Sequence, residues 1–122
     1  MSRKIVVAGG GHGGITTAML LSQNGFDVEV YEKNEREDMG YDWTDIFNPR
    51  CLAKVGLPMP SEDLYEYKTD MTFYSPSEKT PVPQHVPESE REIKMERKDI
   101  YNHLITHAEK AGVKFNYGYN IE

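Results

Sequence analysis

The 122-residue sequence predicts an α/β fold, three-layered, with a partial parallel sheet and an inserted β excursion. Three observations predict it. Between Lys4 and Lys33 a short apolar run, a glycine-rich turn, a helical pattern and an alternating strand follow one another, the order of a βαβ unit. From Asp99 to Tyr117 a second helical pattern again leads into an alternating strand. Between these blocks, from about 59 to 92, helical periodicity gives way to aromatic, β-branched and proline residues.

The first block opens with Ile5-Val6-Val7-Ala8, too short for a helix and rich in β-branched residues, which predicts a buried strand. Gly9, Gly11 and Gly14 follow at G-x-G-x-x-G spacing. A helix is expected next, with Ile15, Ala18, Met19 and Leu21 near one face, ending at the Asn24-Gly25 cap. Phe26, Val28 and Val30 then alternate with Asp27, Glu29 and Tyr31, predicting a second strand that ends on Glu32.

This glycine spacing has a physical use in this context. Gly9 lets the chain turn out of the strand, Gly11 leaves room for a pyrophosphate against the backbone, and Gly14 lets helix and sheet approach closely. The helix amino end presents unpaired N–H groups and partial positive charge. Glu32, eighteen positions after Gly14, is placed to accept hydrogen bonds from the two hydroxyls of an adenosine ribose. A carboxylate there repels a 2′-phosphate, which disfavours NADP. The motif therefore points to a dinucleotide and leaves FAD and NAD both open.

In chain order, Asn34–Gly40 is polar and reads as a solvated loop. Thr44 or Asp45 is a candidate cap for a short helix that admits Pro49 in its first turn, with Leu52 and Val55 as its buried side and Gly56 and Pro58 closing it. Trp43 and Phe47 either line a pocket at the ligand end of the sheet or serve as core for that helix. Tyr65, Tyr67, Thr69, Met71 and Phe73-Tyr74 suggest one extended segment, Ser75–Glu78 a turn, and Thr80–Val86 a partner strand kept at an edge by Pro81 and Pro83. His85, isolated among prolines, reads as a surface residue. Ile93–Glu96 suggests a short strand delivering the chain to Arg97. Asp99 is a candidate N-cap for a helix whose Ile100, Leu104, Ile105, Ala108 and Ala111 share a face, ended by Gly112. Val113, Phe115 and Tyr117 predict a third core strand that continues through Gly118–Glu122.

Composition bounds the partners. A net charge of −6 and a pI near 5.2 argue against nucleic acid and anionic membrane surfaces. One cysteine, Cys51, excludes an internal disulfide and suggests a reducing, cytoplasmic setting. No apolar run approaches membrane-spanning length. His103 and His107 stand at i, i+4 spacing without the glutamate of a metalloprotease motif, so no metal site is expected. His12, inside the glycine turn, reads as exposed.

Two blocks together resemble a known family. Lys4–Lys33, with Ala18 and Gly25, and the helix Arg97-Lys98-Asp99-Ile100 continuing through Leu104, Ala108 and Gly112-Val113 are similar to the N-terminal portion of FAD-dependent oxidoreductases. The resemblance is to the glutathione-reductase-like superfamily, on the branch with aromatic hydroxylases and geranylgeranyl reductases. It implies a Rossmann-like domain in which Gly9, Gly11 and Gly14 face the FAD pyrophosphate and Glu32 the adenosine ribose. By the same resemblance Lys33 lies beside adenine, Arg97 reaches toward the flavin phosphate or ribityl chain, and Ile121 meets adenine through its backbone. The competing role for Arg97 is an ion pair with Glu96 or Asp99. The family's Gly-Asp segment and substrate domain are missing from these residues. The chain is therefore expected to be a single, incomplete domain (1–122, with the insertion at about 59–92), the leading piece of a flavoenzyme and inactive alone. Exposed sheet edges suggest self-association into a homo-oligomer. The alternative function is a small NAD- or ADP-binding regulatory module. No catalytic residue, substrate or electron donor can be named from the sequence.

Overall fold

Residues 3–122 are described by a computed structural model. Strand β1 (Lys4–Ala8) leads into helix α1 (His12–Gln23), which returns the chain to strand β2 (Asp27–Glu32). β1 and β2 pair in parallel, with Val7 opposite Val30 and Ala8 opposite Tyr31. Parallel neighbours need a crossover connection, and α1 supplies it. Its Ile15, Ala18 and Met19, at i, i+3 and i+4, are buried together. The helix ends where Asn24 turns its side-chain amide back onto the Leu20 carbonyl at 2.8 Å.

The second crossover is helix α3 (Arg97–Lys110), which delivers strand β8 (Lys114–Tyr117) to the far side of β2. The parallel sheet thus has the order β1-β2-β8. α1 and α3 lie side by side, tied by the Ser22 hydroxyl donating to the Ala111 carbonyl at 2.7 Å. The core joins Ile15 and Met19 of α1, Val28 and Val30 of β2, and Leu104, Ile105 and Ala108 of α3. The other sheet face is polar and open: Val6 is 54% exposed, and buried Glu29 is matched by Lys4 at 2.9 Å and Lys114 at 3.7 Å.

Between β2 and α3 the chain builds antiparallel structure. Strand β7 (Ile93–Glu96) is the centre of a three-stranded sheet, flanked by β3 (Thr44–Phe47) and β4 (Tyr65–Tyr67). Ile93 and Met95 are buried while Lys94 and Glu96 are exposed, the alternation of a sheet covered on one face. Helix α2 (Arg50–Lys54) lies between β3 and β4 in the chain. Strands β5 (Met71–Tyr74) and β6 (Pro81–Gln84) form a separate two-stranded hairpin. Its turn is closed by the Glu78 N–H donating to the Ser75 carbonyl at 2.8 Å.

Several expectations are corrected. β1 is an edge strand whose residues are exposed or half-buried, because among the described residues nothing covers its outer face. Thr44 and Asp45 lie in β3, paired with Glu96 and Met95 of β7. The short helix begins only at Arg50, after Pro49. Sheet pairing with a segment some fifty residues away overrides the local capping signal. Trp43, 58% exposed, is not core, whereas Phe47 packs against it. Tyr65–Tyr74 is broken into β4 and β5, which serve different sheets. Glu96, not Asp99, occupies the N-cap of α3. β8 ends at Tyr117, where Gly118 diverts the chain. Within Asn34–Gly40, Arg36–Asp38 forms a 3-10 turn and Met39 is buried.

Candidate functional site

The glycine turn begins where the β1–β2 ladder ends. The Gly9 N–H donates to the Tyr31 carbonyl at 2.8 Å, and Gly9 then adopts φ +94°, a conformation that side chains disfavour. A β-carbon at Gly14 would overlap the Gly9 carbonyl oxygen, so the first turn of α1 rests directly on the turn backbone. At Gly11 nothing lies within 4 Å of a built β-carbon, and the space beside that backbone is open. Gly11 is the N-cap of α1, and among the described residues no side chain caps the helix. Its first N–H groups lack intrahelical partners and carry the positive end of the helix dipole.

Glu32 ends β2 beside this turn. It is 7% exposed, and its carboxylate accepts the Gly10 N–H at 2.6 Å and the Asn34 N–H at 2.9 Å. The sequence placed the acid at the turn; the structure adds that two backbone donors fix its orientation there. Each oxygen keeps a lone pair after these bonds. Glu32, Gly9, Lys33 and Ile121 line one crevice of about 210 Å³ at the carboxyl ends of β1 and β2. Residues 119–121 are brought there by the Tyr119 N–H, which donates to the Glu32 carbonyl at 2.9 Å. The Tyr119 ring meets Tyr31 edge-on at 5.6 Å.

Arg97 is not in that crevice. Its Nε and Nη2 donate to both oxygens of Asp45, at 2.8 and 2.5 Å, and Nη1 donates to the Tyr41 hydroxyl. The expected partners Glu96 and Asp99 are replaced by this distant aspartate. Hydrogen bonding from Arg97 holds the Asp45 carboxyl below the usual range, and Asp45 holds the guanidinium above its own. A depressed carboxyl pKa means the pair stabilises the fold fully above the unfolded value. That contribution is lost as pH falls through the folded one. Lys98 pairs with Asp42 at 2.8 Å. Both cations at the amino end of α3, where the dipole opposes them, are thus matched by carboxylates from the segment before and within β3.

His12 is exposed, as expected, but its ring stacks on Tyr101 with centroids 4.5 Å apart and planes 28° from parallel. Desolvation pushes the imidazole below its ordinary pKa, and Asp45 opposes that shift. This contact escaped sequence reasoning. The one signal was position: Tyr101 lies four residues after Arg97, one helical turn along the same side of α3. A second cavity of about 420 Å³ lies beyond His12, walled chiefly by Phe47, Leu52, Val55 and Leu104. His103 and His107 are half-buried with rings 4.7 Å apart, and His103 Nε2 is 2.8 Å from the Pro58 carbonyl oxygen. Among the described residues no group of three or more His, Cys, Asp or Glu could hold a metal. Nor is any helix there long and apolar enough to cross a membrane.

Residues 7–59 match the NAD(P)-binding Rossmann-like domain. The 4,4'-diaponeurosporene oxygenase of Staphylococcus haemolyticus (strain JCSC1435) is 35% identical over an alignment of 91 positions that covers 66% of this chain and 17% of that protein. The geranylgeranyl bacteriochlorophyll reductase-like protein of Thermoplasma acidophilum superposes with a TM-score of 0.78 at 22% identity, covering 97% of this chain and 31% of that one. PqsL of Pseudomonas aeruginosa, solved with 2-aminobenzoylacetate, superposes with a TM-score of 0.80 at 21% identity, covering 98% and 35%. PqsL is described as "a probable FAD-dependent monooxygenase". At these identities the superpositions establish the fold, which is Rossmann-like. The chain spans less than a fifth of the length of the curated relatives it matches.

Proposed function

We propose that this chain binds the adenosine diphosphate half of FAD and forms the FAD-binding part of a flavin-dependent oxidoreductase. Its place is in the glutathione-reductase-like superfamily, on the branch with aromatic hydroxylases and geranylgeranyl reductases. The observation that carries this reading is the shared crevice of Gly9, Glu32, Lys33 and Ile121 beside the uncapped amino end of α1. These residues fit the ligand. Open backbone at Gly11 admits phosphate oxygens, the N–H groups of the first turn of α1 hold them, and Glu32 keeps acceptor capacity for two ribose hydroxyls. Lys33 and the backbone near Ile121 flank the base. Arg97 reaches the ligand's far phosphate or ribityl chain only by exchanging Asp45 for it.

A bound flavin supplies the electron transfer, and the residues described here orient it. No acid, base or nucleophile among them is assigned a catalytic role, and the chain by itself is read as inactive. The sequence relative, named an oxygenase, and PqsL, described as a monooxygenase, support FAD. The description of the matched domain favours the second reading, an NAD- or ADP-binding module without catalysis. The free, exposed thiol of Cys51 supports a reducing, cytoplasmic setting.

Calorimetric titration of the chain separates these readings. ADP and FAD are expected to bind, with NADP excluded by Glu32. Glu32→Gln should weaken ADP by roughly 1.5–3 kcal/mol, the value of hydrogen bonds to a charged group. Binding of NAD without FAD would favour the module, and an unchanged ADP affinity in Glu32→Gln would remove the ribose from this crevice.

A further inference from the structure

Tyr101 of α3 lies against both the amino end of α1 and Gly40. Its ring lies against His12, the first residue of α1, at 4.5 Å. The ring also lies close to Gly40: a β-carbon there would be 2.8 Å from Tyr101 Cδ2 and 2.9 Å from the Arg97 carbonyl oxygen. Gly40 also holds φ +69°, so both the space and the backbone at this seat require glycine. The phenol feels Arg97 and Asp45 from the ion-pair cluster, Glu32 from the crevice, and the backbone N–H of His12. The stack on His12 is what puts this ring at the amino end of α1, beside the path proposed for a diphosphate leaving the ribose at Glu32. The hydroxyls of Tyr31 and Tyr41 are engaged by Glu29 and Arg97. Among the described residues the Tyr101 hydroxyl has no side-chain partner; the His12 N–H directed at its oxygen leaves the phenolic proton free to be donated.

Building on the nucleotide-binding reading of the glycine turn, we propose that Tyr101 is a further ligand-contacting residue whose phenol donates a hydrogen bond to the diphosphate. A phosphate oxygen is a charged acceptor, and the phenol is the side-chain donor already seated at the helix end that attracts it. The stack on His12 and the glycine seat hold the ring before the ligand arrives, so little side-chain freedom is lost on binding.

The test compares ADP with adenosine, titrated into the full chain and into Tyr101→Phe and Glu32→Gln. Tyr101→Phe keeps the ring and its stack, which an unchanged thermal melt confirms. It should weaken ADP about tenfold or more while leaving adenosine unaffected. Glu32→Gln should weaken both ligands alike. ADP affinity unchanged in Tyr101→Phe, with Glu32→Gln still impaired, overturns this inference and leaves the binding site standing. Equal losses for ADP and adenosine in Tyr101→Phe assign the tyrosine to packing and also overturn it. A wild-type chain that binds neither ligand overturns both readings.

Discussion

Gly14 and Gly11 differ in what their missing side chains do, and the difference can be measured. A methyl group at Gly14 meets the Gly9 carbonyl, a backbone atom that cannot rotate aside. Gly14→Ala should therefore destabilise the fold by about 1–3 kcal/mol, the usual cost of overpacking, read as a shift in the urea midpoint. Gly11→Ala meets nothing within 4 Å. Its stability should fall by no more than about 0.5–1 kcal/mol, the scale of an N-cap change. Comparable losses at the two positions would show that the helix does not bear on the turn as described. Glu32 carries a double duty at this scale. The same carboxylate that faces the crevice also satisfies the Gly10 and Asn34 N–H groups, so the acid is oriented before any ligand is present.

Among the elements, the β5–β6 hairpin is the least supported. All eight of its residues are exposed, Phe73 and Val82 included. Two strands alone are marginal in water, and Pro81 and Pro83 remove two backbone donors. Hydrogen exchange should show the amides of Thr72 and Phe73 nearly unprotected, while those of Val28, Val30 and Ile105 exchange far more slowly. Protection of the hairpin equal to that of β2 would mean that something covers it. β7 is the opposite case. Paired on both sides and buried through Ile93 and Met95, it fixes where α3 starts, and with it the position of Arg97 and Tyr101.

For the whole molecule, the open face of the parallel sheet and its outer strands β1 and β8, each paired only with β2 among the described residues, dominate. Among the described residues β1 presents an unpaired backbone edge, with Val6 more than half exposed beside it. Such edges pair with other chains unless they are blocked. We therefore expect concentration-dependent self-association in sedimentation velocity, strengthened by salt as the repulsion of the −6 net charge is screened. Val6→Lys should weaken it. A monomer at every concentration, with or without salt, would refute this expectation.

The sequence by itself determined whatever repeats or turns locally. The period of α1 and α3, the alternation of β2 and β8, and the glycine spacing are set by side chains a few residues apart, and each was legible in the order of residues. The acid at the end of β2 was legible too, because its distance from the turn is a distance along the chain. Only the tertiary structure decided the rest. Thr44 and Asp45 carry the local chemistry of a helix cap, but pairing with β7 makes them strand. Arg97 takes Asp45, fifty-two positions away, over the carboxylates adjacent to it, because sheet register brings that aspartate within bidentate reach. β1 became an edge and Tyr101 a neighbour of His12 for the same reason. Periodicity reports which face of an element is apolar, whereas the neighbour that face meets depends on packing between segments far apart in the chain.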